Sequence, residues 1–217
     1  MFGQIEELLR DPIAVVPRLL VLVIALTIHE FAHAWSADRF GDSTPRDNGR
    51  VTLNPLSHLD PIGSLVFLLS GFGWAKPVPV NIYALERSSR LAPMWVAVAG
   101  PISNLIMAIL GAIPIRLGLM QGLPPLVIEF FLQFVWLNLI LMFFNLIPIF
   151  PLDGEKVLTY LLPPESGLRK VMDQVRPIGP MILLFLIISP NLLGFNLLGT
   201  LIGEPSSTMF EILAGLG

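Results

Sequence analysis

The chain of 217 residues has no cysteine and few charged residues. Without cysteine, disulfide bonds and thiolate metal ligands are excluded, so any metal must be bound by His, Asp or Glu. Only 13% of the residues are charged, the net charge is -3 and no basic cluster occurs, which excludes the electrostatic surface that nucleic-acid binding requires. Apolar residues are abundant instead: 54% of the chain is hydrophobic and the mean hydropathy is +0.75. A soluble domain with a polar surface is therefore excluded, and a membrane protein is predicted.

Several apolar segments are long enough to cross a bilayer, whose core of about 30 Å requires about 20 helical residues. The predicted spans are residues 13–36, 91–116, 125–148 and 178–202. Residues 61–75 are apolar but too short to cross, which predicts a re-entrant or interfacial hairpin. On either side, "GRVTLNP" and "KPVPVN" alternate apolar and polar residues, a pattern that predicts two short strands.

The predicted fold class is an all-α polytopic membrane protein with four transmembrane helices, the short hairpin and a small β-sheet at the cytoplasmic face. Residues 1–217 are expected to form one integral-membrane domain. Six basic residues lie between the first two spans and four lie between the last two. By the positive-inside rule, both connections are cytoplasmic and both termini lie outside the plasma membrane. The carboxyl ends of the first and third spans are then on the cytoplasmic side.

The first predicted span contains "HEFAH", residues 29–33. His29 and His33 are four residues apart and share one face of a helix, with Glu30 beside them. This is the H-E-x-x-H arrangement of zinc hydrolases, in which the histidines bind zinc and the glutamate is a base. The alternative is a pair of interfacial histidines near Trp35. The motif lies on the order of 12 Å inside the end of the span, where each ionisable group costs roughly 3 kcal/mol; a metal gives all three a shared role.

A catalytic zinc site needs a third protein ligand, and the residues alone leave several candidates. His58, Asp60 and Asp153 all fall on the predicted cytoplasmic side. Asp153 follows the prolines of "NLIPIFPLDGEK" at the end of the third span, where it could instead cap the next helix. Glu155 is a poorer candidate because it lies further into the loop. His58 is either a partner of a ligand or an ordinary loop residue.

The motifs together resemble the site-2 protease family of intramembrane zinc metalloproteases, in its compact branch without a PDZ domain. The resemblance covers about residues 19–160 and is carried by "HEFAH", "LNPLSHLDPIGSL", "FGWAKPVPVN", "VAGPISNLI" and "NLIPIFPLDG". It implies that His29, His33 and Asp153 bind Zn²⁺ and that Glu30 is the catalytic base.

The resemblance also implies substrate contacts for Asn104, in the G-P-x-x-N motif, and for Asn145, ahead of L-D-G. For Asn104 the alternative is a hydrogen bond between helices. The implied activity is hydrolysis of peptide bonds in or near transmembrane segments of membrane proteins, such as membrane-anchored regulators or remnant signal peptides. The lipid bilayer is the other expected partner, and nucleic acid is not one. The competing hypotheses are a zinc transporter or sensor without protease activity, and a non-catalytic membrane scaffold.

Overall fold

The computed structural model describes residues 15–70, 73–194 and 196–216, and these are mostly helical. The helices are α1 (Val16–Arg39), α2 (Thr44–Asp47), α3 (Pro61–Ser70), α4 (Ile82–Ser88), α5 (Ala92–Arg116), α6 (Pro125–Asn145), α7 (Asp153–Leu161), α8 (Gly167–Val175), α9 (Gly179–Leu193) and α10 (Glu204–Ala214). Short 3₁₀ turns at Pro55–Ser57 and Arg176–Ile178, and one π-helical turn at Gly199–Gly203, complete the helical elements.

Four of these stretches are long and apolar enough to span a membrane: Val16–Arg39, Ala92–Arg116, Pro125–Asn145 and Gly167–Pro190. The prediction of a multi-pass membrane protein with four spans is thereby confirmed. The predicted start of the first span, residues 13 and 14, lies outside the described residues. The fourth candidate span begins before the predicted residue 178, because α8 continues through a 3₁₀ turn into α9. It ends at Leu193, where Gly194 adopts the left-handed conformation (φ 72°) that terminates helices.

The predicted β-sheet is wrong. In the part of the chain that the structure describes, β-pairing is limited to one isolated antiparallel bridge between Leu59 and Ala75. The segment "GRVTLNP" bends at residues 51 and 52, where the Thr52 amide donates to the Arg50 carbonyl, and the Asn54 side chain caps the 3₁₀ turn that follows. Pro77 and Pro79 lack the amide hydrogens that a strand ladder needs. The apolar–polar alternation of a strand is therefore present in the sequence, but the backbone lacks the amide donors needed for strand pairing.

Residues 58–70 and 73–76 nevertheless form the two sides of a hairpin of a different kind, with a helix on one side and an extended segment on the other. The Lys76 amide donates to the His58 carbonyl at 2.7 Å, so the two ends of the segment are adjacent. Gly63 of α3 lies against the Trp74 carbonyl so closely that a Cβ atom would overlap it. The chain thus enters and leaves this segment at one place. Residues 71 and 72 lie outside the described residues, and entry of the hairpin into the membrane stays a prediction.

Helix α5 lies at the centre of the helical bundle, in contact with α1, α6 and α7. Its small residues face larger side chains of α6 in a buried cluster that consists of Ala108, Ala112, Val135, Leu139 and Met142. Small residues let helix backbones approach closely in membranes, where dispersion contacts replace the hydrophobic effect as the main attraction. This packing holds α5 firmly against the helices that carry the site described next.

Candidate metal centre and active site

Three buried side chains from two distant segments converge at one point. His29 and His33 lie one turn apart on α1, and Asp153 is the first residue of α7. The two Nε2 atoms are 3.0 Å apart, and the Asp153 Oδ2 atom is 3.2 Å from each of them. Ligands about 2.0 to 2.1 Å from a tetrahedral metal are about 3.3 Å apart. The triangle therefore has the size of one face of a zinc coordination tetrahedron.

The outer nitrogens of both rings are held by hydrogen bonds. The His29 Nδ1–H group donates to the Asn104 Oδ1 atom at 2.6 Å, and the His33 Nδ1–H group donates to the Val96 carbonyl at 2.7 Å. In neutral rings with protons at Nδ1, the Nε2 lone pairs point toward the Asp153 carboxylate. Three buried acceptors at this spacing repel one another unless a proton or a metal ion lies between them. The donor set and its orientation therefore fit a divalent metal such as zinc.

Asp153 is brought to the histidines by the turn that follows α6. The peptide groups of residues 146–152 form tight turns, with hydrogen bonds from Ile149 to Ile147 and from Leu152 to Ile149. Gly154 lies so close to the preceding backbone that a Cβ atom would be 2.6 Å from the Ile147 carbonyl oxygen. The alternative role of Asp153 as a helix cap is not observed, since Leu152 occupies that position and no side-chain cap bond is present.

The charge state of Asp153 suits a metal ligand. Burial alone would raise the pKa of its carboxyl group. In the absence of a metal, protonation of the adjacent His33 and His29 rings outweighs that effect and holds this pKa below its usual value. The carboxylate is therefore ionised and available as an anionic ligand.

Gly100 on α5 provides the space in which the imidazoles lie. A Cβ atom at this position would be 2.6 Å from both Cε1 and Nε2 of His29, and it would overlap Nε2 of His33. Only glycine lets the α5 backbone lie this close to the rings. Sequence reasoning did not single out Gly100 or the Val96 carbonyl. A signal for Gly100 was available, because a glycine inside a spanning helix loses stability relative to alanine unless close packing requires it.

Glu30 lies beside the metal ligands at the wall of a cavity of about 550 Å³. It is only 9% exposed. The cavity is lined mostly by apolar side chains of α1, α5, α6, α9 and the extended residues 73–80, and Asn145 also lines it. Arg50, itself buried, is close enough to interact electrostatically with Glu30. A carboxylate thus borders both the metal-binding triangle and a cavity with room for a segment of polypeptide.

The other candidates from the sequence lie elsewhere. Asn104 is fully buried, bonds to His29 and is not among the residues that line the cavity, and its contact with substrate stays a prediction. The His58 Nε2–H group donates to the Thr52 carbonyl at 2.8 Å, and Asp60 accepts from the Gly63 amide. Glu155 pairs with Arg176 at 3.6 Å.

Comparison with known proteins identifies the family. Residues 123–190, which include Asp153, match the model of peptidase family M50. The chain is 37% identical over 218 residues to a Bacillus subtilis protein named "Putative zinc metalloprotease YwhC", and the alignment covers 97% of each. The chain belongs to peptidase family M50. Two proteins named "Putative zinc metalloprotease Rip2" are also similar. The protein of Mycolicibacterium smegmatis is 33% identical, and the alignment covers 79% of this chain and 68% of the relative. The protein of Mycobacterium tuberculosis H37Rv is 31% identical, and the alignment covers 80% of this chain and 67% of the relative. No solved structure matches.

The family assignment confirms the predicted resemblance to the site-2 proteases. The prediction of a zinc metalloprotease with a zinc cofactor is confirmed at the level of the family, and the His29, His33 and Asp153 group supplies a site of the right size. The individual roles of Glu30, Asn104 and Asn145 remain predictions.

Proposed function

We propose that this protein is an intramembrane zinc metalloendopeptidase that hydrolyses peptide bonds in or near the transmembrane segments of other membrane proteins. The observation that carries the proposal is the buried triangle of His29, His33 and Asp153 at the wall of an apolar cavity formed largely by spanning helices. His29 is ten residues before the end of α1, about 15 Å along the helix. A metal site at that depth serves a substrate that is itself in the membrane.

In the proposed mechanism, Glu30 is the general base. The chemistry that zinc supplies when bound is Lewis acidity, which activates water for attack and polarises a peptide carbonyl. The Glu30 carboxylate accepts the proton of the attacking water and passes it to the leaving amine. Its position on α1, next to His29 and at the cavity wall, allows both transfers without leaving the site.

The substrate must unwind locally, because a helix hides its carbonyls in its own hydrogen bonds. The extended residues 73–80 line the cavity and offer backbone groups to such an unwound segment. Asn145 lines the same cavity and is the side-chain amide proposed to contact substrate. Asn104 would have to break its hydrogen bond with His29 to contact substrate, and we propose that it supports His29 instead.

We further propose that the protein lies in the plasma membrane with the metal centre toward the cytoplasmic side and both termini outside. The basic residues in the two connections support this orientation. Membrane-anchored regulators and remnant signal peptides are the substrate classes that such a site would reach.

The test of the proposed function is Glu30→Gln in the purified full-length protein. Zinc should stay bound, because Glu30 is not one of the three ligands, while cleavage of a model membrane substrate should fall by at least about 100-fold. Glu129→Gln is the matched control, since Glu129 is an exposed residue of α6 whose hydrogen bond within the described part of the chain is to Gln133. Retained cleavage in Glu30→Gln would contradict the assigned base. Zinc flux in proteoliposomes without any peptide cleavage by the wild type would instead support the transporter alternative.

A further inference from the structure

A row of hydrogen bonds runs from the metal centre through three helices. His29 of α1 donates from Nδ1 to the Asn104 Oδ1 atom of α5 at 2.6 Å. The Asn104 Nδ2 group donates to the Asn138 Oδ1 atom of α6 at 2.9 Å, and the Asn138 Nδ2 group donates to the Phe134 carbonyl at 2.8 Å. Both asparagines are completely buried. Among the described residues, Asn138 is not part of the cavity lining and has no hydrogen bond to a candidate metal ligand, and sequence reasoning did not single it out.

The direction of this row is fixed at its far end. The Phe134 carbonyl can only accept, so the amide NH₂ group of Asn138 must face it and the Asn138 oxygen must face Asn104. That oxygen in turn requires the NH₂ group of Asn104, which turns the Asn104 oxygen toward His29. The ring nitrogen opposite an oxygen acceptor must carry the proton. The backbone carbonyl therefore determines that His29 is protonated at Nδ1 and has its lone pair at Nε2.

An asparagine without a second partner would not impose this choice. The two ends of an amide have nearly the same shape, and a rotated Asn104 would present its NH₂ group to His29. Nδ1 would then act as the acceptor and the proton would move to Nε2, the atom that faces His33 and Asp153. A proton at that atom competes directly with a metal.

We propose that Asn138 is a positioning residue that fixes the amide orientation of Asn104 and thereby holds His29 in the tautomer that binds metal. His33 needs no such relay, because its Nδ1–H group donates directly to the Val96 carbonyl. The inference rests on the metal site of the proposed function but not on its protease activity, and its test measures metal binding and proton position.

The first variant is Asn138→Leu, which keeps the side-chain size and removes both hydrogen-bonding ends. Substitution of outer partners of metal-binding histidines costs about 10- to 100-fold in affinity, and a loss in that range is expected for zinc in competition with a chelator. The chain has only three histidines, so ¹⁵N-histidine spectra of the metal-free protein are simple. Wild-type His29 should show a protonated Nδ1, and the variant should show a substantial population protonated at Nε2.

Gln133→Leu is the matched control, because it removes from the same helix an amide whose partner among the described residues is Glu129. It should leave zinc affinity and the histidine spectrum unchanged. If Asn138→Leu is not recovered as a folded protein, Asn138→Ala replaces it with the same expectations.

The decisive experiment is rescue by Asn104→Asp in the Asn138→Leu background. A carboxylate accepts through either oxygen, so His29 keeps its proton at Nδ1 whether or not Asn138 is present, and zinc affinity should return to within a few-fold of the wild type. A purely packing role of Asn138 would not be repaired this way. The proposal is overturned if Asn138→Leu binds zinc like the wild type with an unchanged tautomer, or if Asn104→Asp fails to restore the lost affinity. Lack of cleavage by the wild type would count against the proposed function but would not affect the proposal that Asn138 positions Asn104 and His29.

Discussion

Gly100→Ala adds one methyl group to α5 at the point where the helix backbone meets the imidazoles. The new Cβ atom would be 2.6 Å from His29 Nε2, whereas ordinary contacts begin at about 3.4 Å. The ring must therefore move by about 0.8 Å, and His33 must move further. Metal–ligand distances tolerate deviations of only about 0.2 Å. The displacement exceeds that tolerance several-fold, so zinc affinity should fall by at least about 10- to 100-fold.

The stability of the fold should change much less than the affinity for zinc. Overpacking in a core costs about 1 to 3 kcal/mol, while alanine gains about 1 kcal/mol over glycine inside a helix. The net loss for Gly100→Ala is thus about 0 to 2 kcal/mol. Zinc affinity is measured by chelator competition and stability by the thermal midpoint of the metal-free protein, so that the two effects are separated.

Gly111→Ala is the control for crowding on the same helix. Its Cβ atom would be 2.6 Å from the Phe134 ring, away from the metal ligands. This variant should be destabilised to a similar extent and keep its zinc affinity. Wild-type zinc binding by Gly100→Ala would refute the placement of the rings against α5, and an equal loss of affinity in both variants would show that crowding alone explains the effect.

Two further predictions concern the segment after the third span. Asp153→Asn removes the anionic ligand and should lower zinc affinity beyond the roughly 10- to 100-fold effect of outer partners, whereas Asp173→Asn on the exposed face of α8 should not; similar affinities would exclude Asp153 as a ligand. Burial, together with the hydrogen bond and the charge of Glu86, raises the pKa of Tyr160 from 10.0 to about 12. The stabilisation from the neutral phenol is present below about pH 10 and disappears as the pH rises toward 12. A phenolate absorbance titration should show an ionisation step near pH 12. Tyr160→Phe should abolish this step, and Glu86→Gln should move it to lower pH. A step near pH 12 that survives Tyr160→Phe would contradict the assignment.

The spans and the metal-binding motif were predictable because they depend on local properties. Length and hydropathy determine which segments cross a membrane, and the spacing of His29 and His33 places them on one face of any helix. The strands were predicted wrongly because the same side-chain alternation occurs in extended segments that lack a partner. The fourth span was misplaced because its helix extends beyond the apolar residues into the charged segment of α8, and Gly194, not hydropathy, ends it.

The third ligand could not be derived from the residues alone. The residues alone left His58, Asp60 and Asp153 as candidates, and the family resemblance implied Asp153. In the structure, the turn of residues 146–152 places Asp153 against α1. The hydrogen-bond partners of the histidines could not be predicted either. Val96 binds His33 through its backbone carbonyl, and a valine side chain gives no indication of that role. Contacts between helices distant in sequence determine both.

The metal ligands are separated by 120 residues, with α5 and α6 between them in the chain. A chain still emerging from the ribosome has both histidines in place long before the aspartate is made. Under the proposed ligand assignment, such a chain holds an incomplete set of ligands. Zinc retention would then report that α7 has been synthesised and has docked against α1, which links the proposed reactivity to assembly of the fold.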